Sequence, residues 1–164
     1  MHAEDSQLAG LRAQAQPIPL DVTARQSWAQ QFNGLTGVVH FGLTVDLSDS
    51  LLVRVTLPAI AEHHVGGLRS RAVNGAVLAG LFDCALGLAG TLQFGNRRAG
   101  TCELSMKFMR AVLDAPLEVF GACVKCTENL AFADSLLFSK DRLCATATGI
   151  VAVAADRNSQ DTMW

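Results

Sequence analysis

The chain has 164 residues, the size of one domain, and half of them are hydrophobic, 17% are charged and the formal net charge is −2. Its few basic residues are scattered and form no patch or stripe, so nucleic acid is excluded as an expected partner. Soluble domains average about 25% charged residues, so the deficit points either to a membrane segment or to surface hidden in subunit contacts.

The start, Met1-His-Ala-Glu-Asp-Ser, has neither the basic nor the apolar region of a secretory signal. Five cysteines, an odd count, fit reduced thiols in the cytoplasm better than a disulfide framework. Residues up to about Pro19 read as a loosely held arm. Asp21 is placed to cap a short helix, Val22 to Phe32, with Trp28 and Phe32 one turn apart on one face. From Val38 the pattern turns to strands. His40 to Leu47 and Leu51 to Leu57 are apolar, β-branched runs, and Ser48-Asp49-Ser50 between them makes a hairpin turn.

The loop Pro58 to Arg71 carries His63, His64 and the pair Gly66-Gly67. A long apolar helix follows, from about Asn74 to Phe94, and Gly95-Asn96 breaks it. Four strands then complete the chain: Thr101–Met109, Leu117–Thr127, Ala131–Ser139 and Leu143–Ala154. Asp114-Ala115-Pro116, Glu128-Asn129 and Lys140-Asp141-Arg142 are the turns between them. The polar end, Asp156 to Met163, is expected to fray, with Trp164 free to dock. No repeat or composition shift marks a second domain. The expected division is an arm and short helix over 1–35, one domain over 36–155 and a tail over 156–164. Strand, strand, long helix and four strands predict an α+β fold, the helix packed on one curved antiparallel sheet.

The chemistry concentrates in the long helix. Asp83 is the one ionisable carboxylate or base between Arg71 and Arg97. The segment meets the length criterion for a membrane span. A carboxylate at a bilayer centre costs about 3 kcal/mol or more, and glycines at 75, 80, 87 and 90 are many for a helix without a partner. The strand meander around it is of soluble type, so no membrane span is expected. Ala76, Ala79, Gly80, Asp83, Gly87 and Gly90 fall on one face at steps of three or four. Val77, Leu81, Ala85, Leu88 and Leu92 form a bulky face suited to a sheet. Tight helix packing alone would explain the small residues. The lone carboxylate among them, expected to be buried in an apolar setting that raises its pKa and makes it a better base near neutral pH, points to a task instead.

At the helix start, Asn74-Gly75-Ala76 offers backbone N–H groups where the helix dipole is positive, a site for an oxyanion. Asn74 is also a good N-cap, and the two roles are compatible. Ala76 and Asp83 are seven residues apart, about 10 Å along one helix. One substrate carbonyl cannot meet both, so a site using both takes its carboxylate from a second chain. This predicts a homodimer with two interfacial sites.

The run Val73-Asn74-Gly75-Ala76-Val77-Leu78-Ala79-Gly80-Leu81-Phe82-Asp83-Cys84-Ala85-Leu86-Gly87 resembles the helix signature of the hotdog thioesterases of the phenylacetic-acid-pathway (PaaI-like) type. Thr101 to Ala111 resembles the next strand of that family, and the likeness covers about Val38 to Ala154. The resemblance implies a hotdog fold, dimers that often pair into tetramers, and metal-free hydrolysis of acyl-CoA thioesters, with coenzyme A part of the substrate. It implies that Asp83 is nucleophile or general base, that the Ala76 amide with Gly75 beside it polarises the carbonyl, and that Thr101 orients the attacking water. Three positions depart from the family: Asn74 replaces a His, Ala76 replaces a second Gly, and Leu68 falls where the family has a loop Asn.

Weaker signals complete the list. Arg97, Arg98 and Arg110 are candidates for the CoA phosphates, although each reads more readily as a solvated surface charge. Adjacent His63 and His64 do not face one ion together and lack a third ligand, so no metal is expected. Cys123-x-x-Cys126 lies in a strand, where positions three apart point to opposite faces, so the pair reads as incidental. Cys84 reads as core. The function expected is acyl-CoA hydrolysis, with room near Asp83 for a medium or aryl acyl group. A hotdog dehydratase would need a His against the helix carboxylate, which neither His63 nor His64 matches. The alternative is a non-catalytic acyl-CoA binding or assembly protein.

Overall fold

The computed structural model describes residues 3–66 and 71–155. Gly67, Leu68, the tail 156–164 and its Trp164 lie outside the described residues. Four helices, α1 (Ala3–Gln14), α2 (Val22–Asn33), α3 (Thr36–Phe41) and α4 (Gly75–Thr91), accompany six strands. The strands are β1 (Thr44–Asp46), β2 (Val53–Leu57), β3 (Ala99–Phe108), β4 (Leu117–Cys126), β5 (Leu130–Ser139) and β6 (Arg142–Val153). They form one antiparallel sheet in the order β1-β2-β4-β5-β6-β3.

The expected α+β architecture holds. The long helix begins one residue after Asn74, and a 3-10 turn, Leu92–Phe94, carries it to the predicted end. Its bulky face, Val77, Leu81, Ala85, Leu88 and Leu92, is buried under the sheet, alongside Val55, Val119 and Leu137. The segment Gly75–Phe94, with mean hydropathy 1.7, is long and apolar enough to cross a membrane. It is also the helix the sheet wraps, which accounts for its apolarity. Gly90, expected on the small-residue face, is instead buried against Val151 and Ala131.

The N-terminal region departs from the expectation of a loose arm. Residues 3–14 are helical, and α1 docks on the sheet face opposite α4. Leu11 packs with Leu52 and Ala122, flanked by Leu8, Phe120 and Leu136. Arg12 pairs with Asp49, and the Gln16 N–H donates to the Cys123 carbonyl at 2.7 Å. Interleaved polar residues hid this helix, because its apolar stripe is only two leucines wide. A second departure follows α2. Residues 36–41, including His40, form α3 rather than the start of a strand, and the paired part of β1 is only Thr44–Asp46.

Other local expectations are met. Asp21 caps α2 by accepting from the Ala24 N–H at 2.8 Å. The β1–β2 hairpin turns at residues 48–50, where Asp49 Oδ1 accepts from the Leu51 N–H. Arg25 of α2 is buried and donates to the carbonyls of Leu20, Leu47 and Ser48, tying that helix to the hairpin. A bulge displaces the β4–β5 register between Cys123 and Lys125. It restores Cys123 and Cys126 to one face, where both pack about Phe94, Ala131 and Val151. The opposite-face reading of that pair is thus corrected, since strict alternation fails across a bulge. All five cysteines are free thiols.

Candidate functional site

β3 runs antiparallel beside α4, and two contacts fix their alignment. A Cβ on Gly87 would lie 2.9 Å from Thr101 Oγ1 and 3.8 Å from Asp83 Oδ1. A Cβ on Gly75 would lie 3.7 Å from the Phe108 ring. One chain therefore carries two separate half-sites.

The first half-site is a small niche at mid-helix. Gly87 has no side chain, so the Thr101 hydroxyl can approach the helix one turn beyond Asp83. Carboxylate and hydroxyl both face this gap, which suits a water held between a base and a hydrogen-bonding partner. A bulge in β3 between Thr101 and Glu103 shifts its register on β6 beside Thr101. Asp83 itself is exposed on the chain, on the face of α4 that the sheet leaves bare. The expectation of a buried carboxylate is corrected accordingly: that face has neighbours only at its edges. Beside it, the Cys84 thiol is pushed up to about 11 by burial and by the Asp83 charge, so it stays protonated near neutral pH.

The second half-site is the N-terminus of α4. Asn74 caps the helix, its Oδ1 accepting from the Ala76 N–H at 2.9 Å. The Ala76 amide is thus occupied by the side chain that stands in the family's His position. The Gly75 N–H has no acceptor among the described residues and lies next to an open cleft of about 350 Å³. Val73, Gly75, Leu78, Phe108, Met109 and Arg110 line that cleft. Phe108 and Met109 are 52% and 48% exposed, an apolar shelf beside a backbone donor.

The three arginines do not converge. Arg110 lines the cleft beside Gly75, and its Nη1 donates to the Leu143 carbonyl at 2.6 Å. Arg97 donates to the Glu128 carbonyl and Asn129 Oδ1, both at 2.7 Å, and so holds the β4–β5 turn. Arg98 lines a second cleft, of about 370 Å³, with Trp28 and Thr91. It stands with Arg97 at the opposite end of β3 from Arg110. Among the described residues no group of three or more side chains is disposed to hold a metal. His40 does, however, bring a third imidazole to His63, at 6.2 Å between ring centres. Sequence spacing missed this neighbour because α3 was read as strand.

Phe108 and Gly66 are not among the residues the sequence places at the site; Gly87 is, on the small-residue face with Asp83, but its approach to Thr101 is not. Only the glycines left a signal, and a glycine does not disclose which side chain it makes way for.

No family model and no curated protein matches the sequence. Solved structures do. A Shewanella oneidensis protein related to the thioesterase superfamily superposes with a TM-score of 0.75 at 16% identity, over 83% of this chain and 99% of that one. A Bacillus halodurans protein determined with CoA gives 0.68 at 17% identity, over 96% of this chain and 97% of that one. The E. coli PaaI protein from the phenylacetic acid degradation operon gives 0.66 at 13% identity, over 82% and 97%. At these identities the likeness is one of fold. The chain has the hotdog fold, shared with the Shewanella protein related to the thioesterase superfamily and with the E. coli PaaI protein.

Proposed function

We propose that the protein hydrolyses acyl-CoA thioesters at a site shared by two copies of the chain. Asp83, with Thr101, comes from one subunit and the N-terminus of α4, with Gly75, from the other. The observation that carries this reading is the separation of the two half-sites along one helix. Gly75 and Asp83 are eight residues apart, about 12 Å of helix, which one thioester carbonyl cannot span. The CoA in the Bacillus halodurans structure of the same fold supports the substrate class.

The open edge of β3 supports the second copy. Among the described residues its ten residues pair only with β6, and a long bare edge invites another strand. An antiparallel pairing centred on Ser105 is self-complementary. It sets Lys107 opposite the partner's Glu103, and neither residue has an ion-pair partner among the described residues. Across the bulge it sets Phe108 opposite the partner's Thr101, which brings Gly75 of one chain to Asp83 of the other. The low charge content and the bare face of α4 agree with such an interface, and the five free thiols fit a reducing, cytoplasmic setting.

At that site the Gly75 N–H polarises the thioester carbonyl. Asp83 attacks it to give a mixed anhydride, which water then cleaves to free acid and carboxylate, or takes a proton from the water held with Thr101 as that water attacks the carbonyl. Either route breaks the C–S bond and releases CoA as its thiol. Arg110 at the rim of the cleft has one Nη on the Leu143 carbonyl and keeps its other N–H groups for a CoA phosphate, whereas both Nη atoms of Arg97 are engaged. One observation favours a second reading, acyl-CoA binding without turnover: Asn74 occupies the Ala76 amide.

Thiol release from short, medium, long and aryl acyl-CoAs decides between them. Asp83→Asn should lower turnover by about 100-fold or more while the oligomer persists. Binding of acyl-CoA without turnover would establish the second reading.

A further inference from the structure

His64 is 2% exposed, and its Nδ1 accepts a hydrogen bond from the Ala61 N–H at 3.0 Å. An acceptor at Nδ1 means a neutral ring with its proton on Nε2. That Nε2 is buried and has no hydrogen-bond partner among the described residues. The exposed His63 ring lies edge-on at 4.1 Å, and His40 of α3 stands 6.2 Å from His63.

The backbone of this turn holds the start of α4. The His64 carbonyl accepts from the Asn74 N–H at 2.8 Å, and the Gly66 N–H donates to the Ala72 carbonyl at 3.1 Å. Val65 bridges Val73. Gly66 lies against the Asn74 side chain so closely that a Cβ there would be 2.2 Å from Asn74 Nδ2. Asn74 in turn caps Ala76. The turn around His64 therefore sets the residue that arranges the amides of the candidate oxyanion site.

We propose that His64 is a positioning residue for Asn74 and that the His40–His63–His64 stack is an acid-sensitive latch on the N-terminus of α4. The consequence for turnover rests on the thioesterase reading; the latch itself does not. A proton taken up at Nδ1 sets two donors, Nδ1–H and the Ala61 N–H, against each other and buries a cation beside His63. The ring must then leave its place, and the hold on Asn74 goes with it. Burial pushes the imidazole below the ordinary value of 6.5, the charges of His63 and His40 push the same way, and the nearby Phe41 backbone, which makes no hydrogen bond to Nε2, pushes against them. Those two imidazoles are the titratable groups acting on His64. A lowered histidine contributes stability that is full above 6.5 and is lost as pH falls from there through the folded-state value.

The test is hydrogen exchange at the Asn74 amide from about pH 7.5 to about pH 5.0, corrected for intrinsic rates, beside the rate of thioester hydrolysis. Asn74 should lose protection by about tenfold or more on acidification, reversibly, while amides of the β5–β6 hairpin keep theirs. Hydrolysis should fall in the same step. His64→Asn retains an acceptor for Ala61 but cannot take the proton, so both steps should vanish. The double variant His40→Gln/His63→Gln, both sites exposed, should move the step to higher pH because two repelling charges are gone. A merely structural His64 would not produce that shift. An Asn74 amide that follows the hairpin at every pH, or a step that the double variant leaves in place, overturns the proposal. An exchange step in a protein that turns over no thioester keeps the latch and sinks the thioesterase reading. Turnover without an exchange step at Asn74 does the reverse.

Discussion

Two positions on α4 and at its cap, Gly87 and Asn74, shape the candidate site. At Gly87 a methyl group would stand 2.9 Å from the Thr101 hydroxyl, so Gly87→Ala should fill the niche beside Asp83. Alanine is the better helix former by about 1 kcal/mol, so Tm should hold or rise while kcat falls by about tenfold or more. A variant with full activity would remove the niche from the mechanism. At Asn74 cap and chemistry can be separated. Asn74→Ala should cost about 1 kcal/mol of stability. Asn74→Asp is an equal cap, so stability should stay within about 0.5 kcal/mol of wild type. Its added negative charge, beside the carbonyl oxygen that gains charge in the transition state, should still lower turnover about tenfold. Equal activity in Asn74→Asp would mean that no oxyanion develops at this end of the helix.

Among the elements, α2 is tied to β1 by Asn33, which bonds both backbone groups of Val45, and by one cation. Arg25 is buried without a carboxylate among the described residues and bonds the carbonyls of Leu20, before α2, and of Leu47 and Ser48, at the end of β1. Arg25→Ala leaves those carbonyls without their donor. It should destabilise the chain by about 2–4 kcal/mol in urea unfolding, with an unchanged denaturant slope if unfolding stays two-state. The faces of α4 carry a different lesson. Its bulky residues were assigned to the sheet from spacing alone, and all of them are buried there. The small-residue face was placed correctly as far as Gly87. It fails at Gly90, where the helix nears its end and the β5–β6 strands close over it.

For the whole molecule, the edge of β3 is the feature that asks for a partner. A pairing about Ser105 juxtaposes Lys107 and the partner's Glu103 twice per dimer. Lys107→Glu should therefore weaken association by about tenfold, and activity should fall with it at low protein concentration. The double reversal Glu103→Lys/Lys107→Glu restores opposite charges and should recover both. Sedimentation over a range of protein concentrations reads the outcome, and equal association in all three proteins would place the interface elsewhere.

The amino-acid sequence alone determined the order of the main elements, because hydrophobic period and turn residues are local properties. The helix from Asn74, the four strands after it and the Asp21 cap all lie within a residue or two of their predicted places. It also determined that Asp83 and Ala76 are too far apart to serve one carbonyl, which follows from helical rise. Short or weakly amphipathic helices escaped it: α1 is stabilised by docking on the sheet, and α3 is a brief turn within an apolar run. Tertiary structure alone decided which groups meet, since contacts such as Thr101 with Gly87, Phe108 with Gly75 and His40 with His63 join residues distant in the chain. The Asn74 cap was legible locally and is present, but tertiary structure alone set Gly66 of the turn at His64 against that side chain. It also left Asp83 exposed on the single chain, because burial depends on what packs against a face, and a helix period reveals only that the face exists.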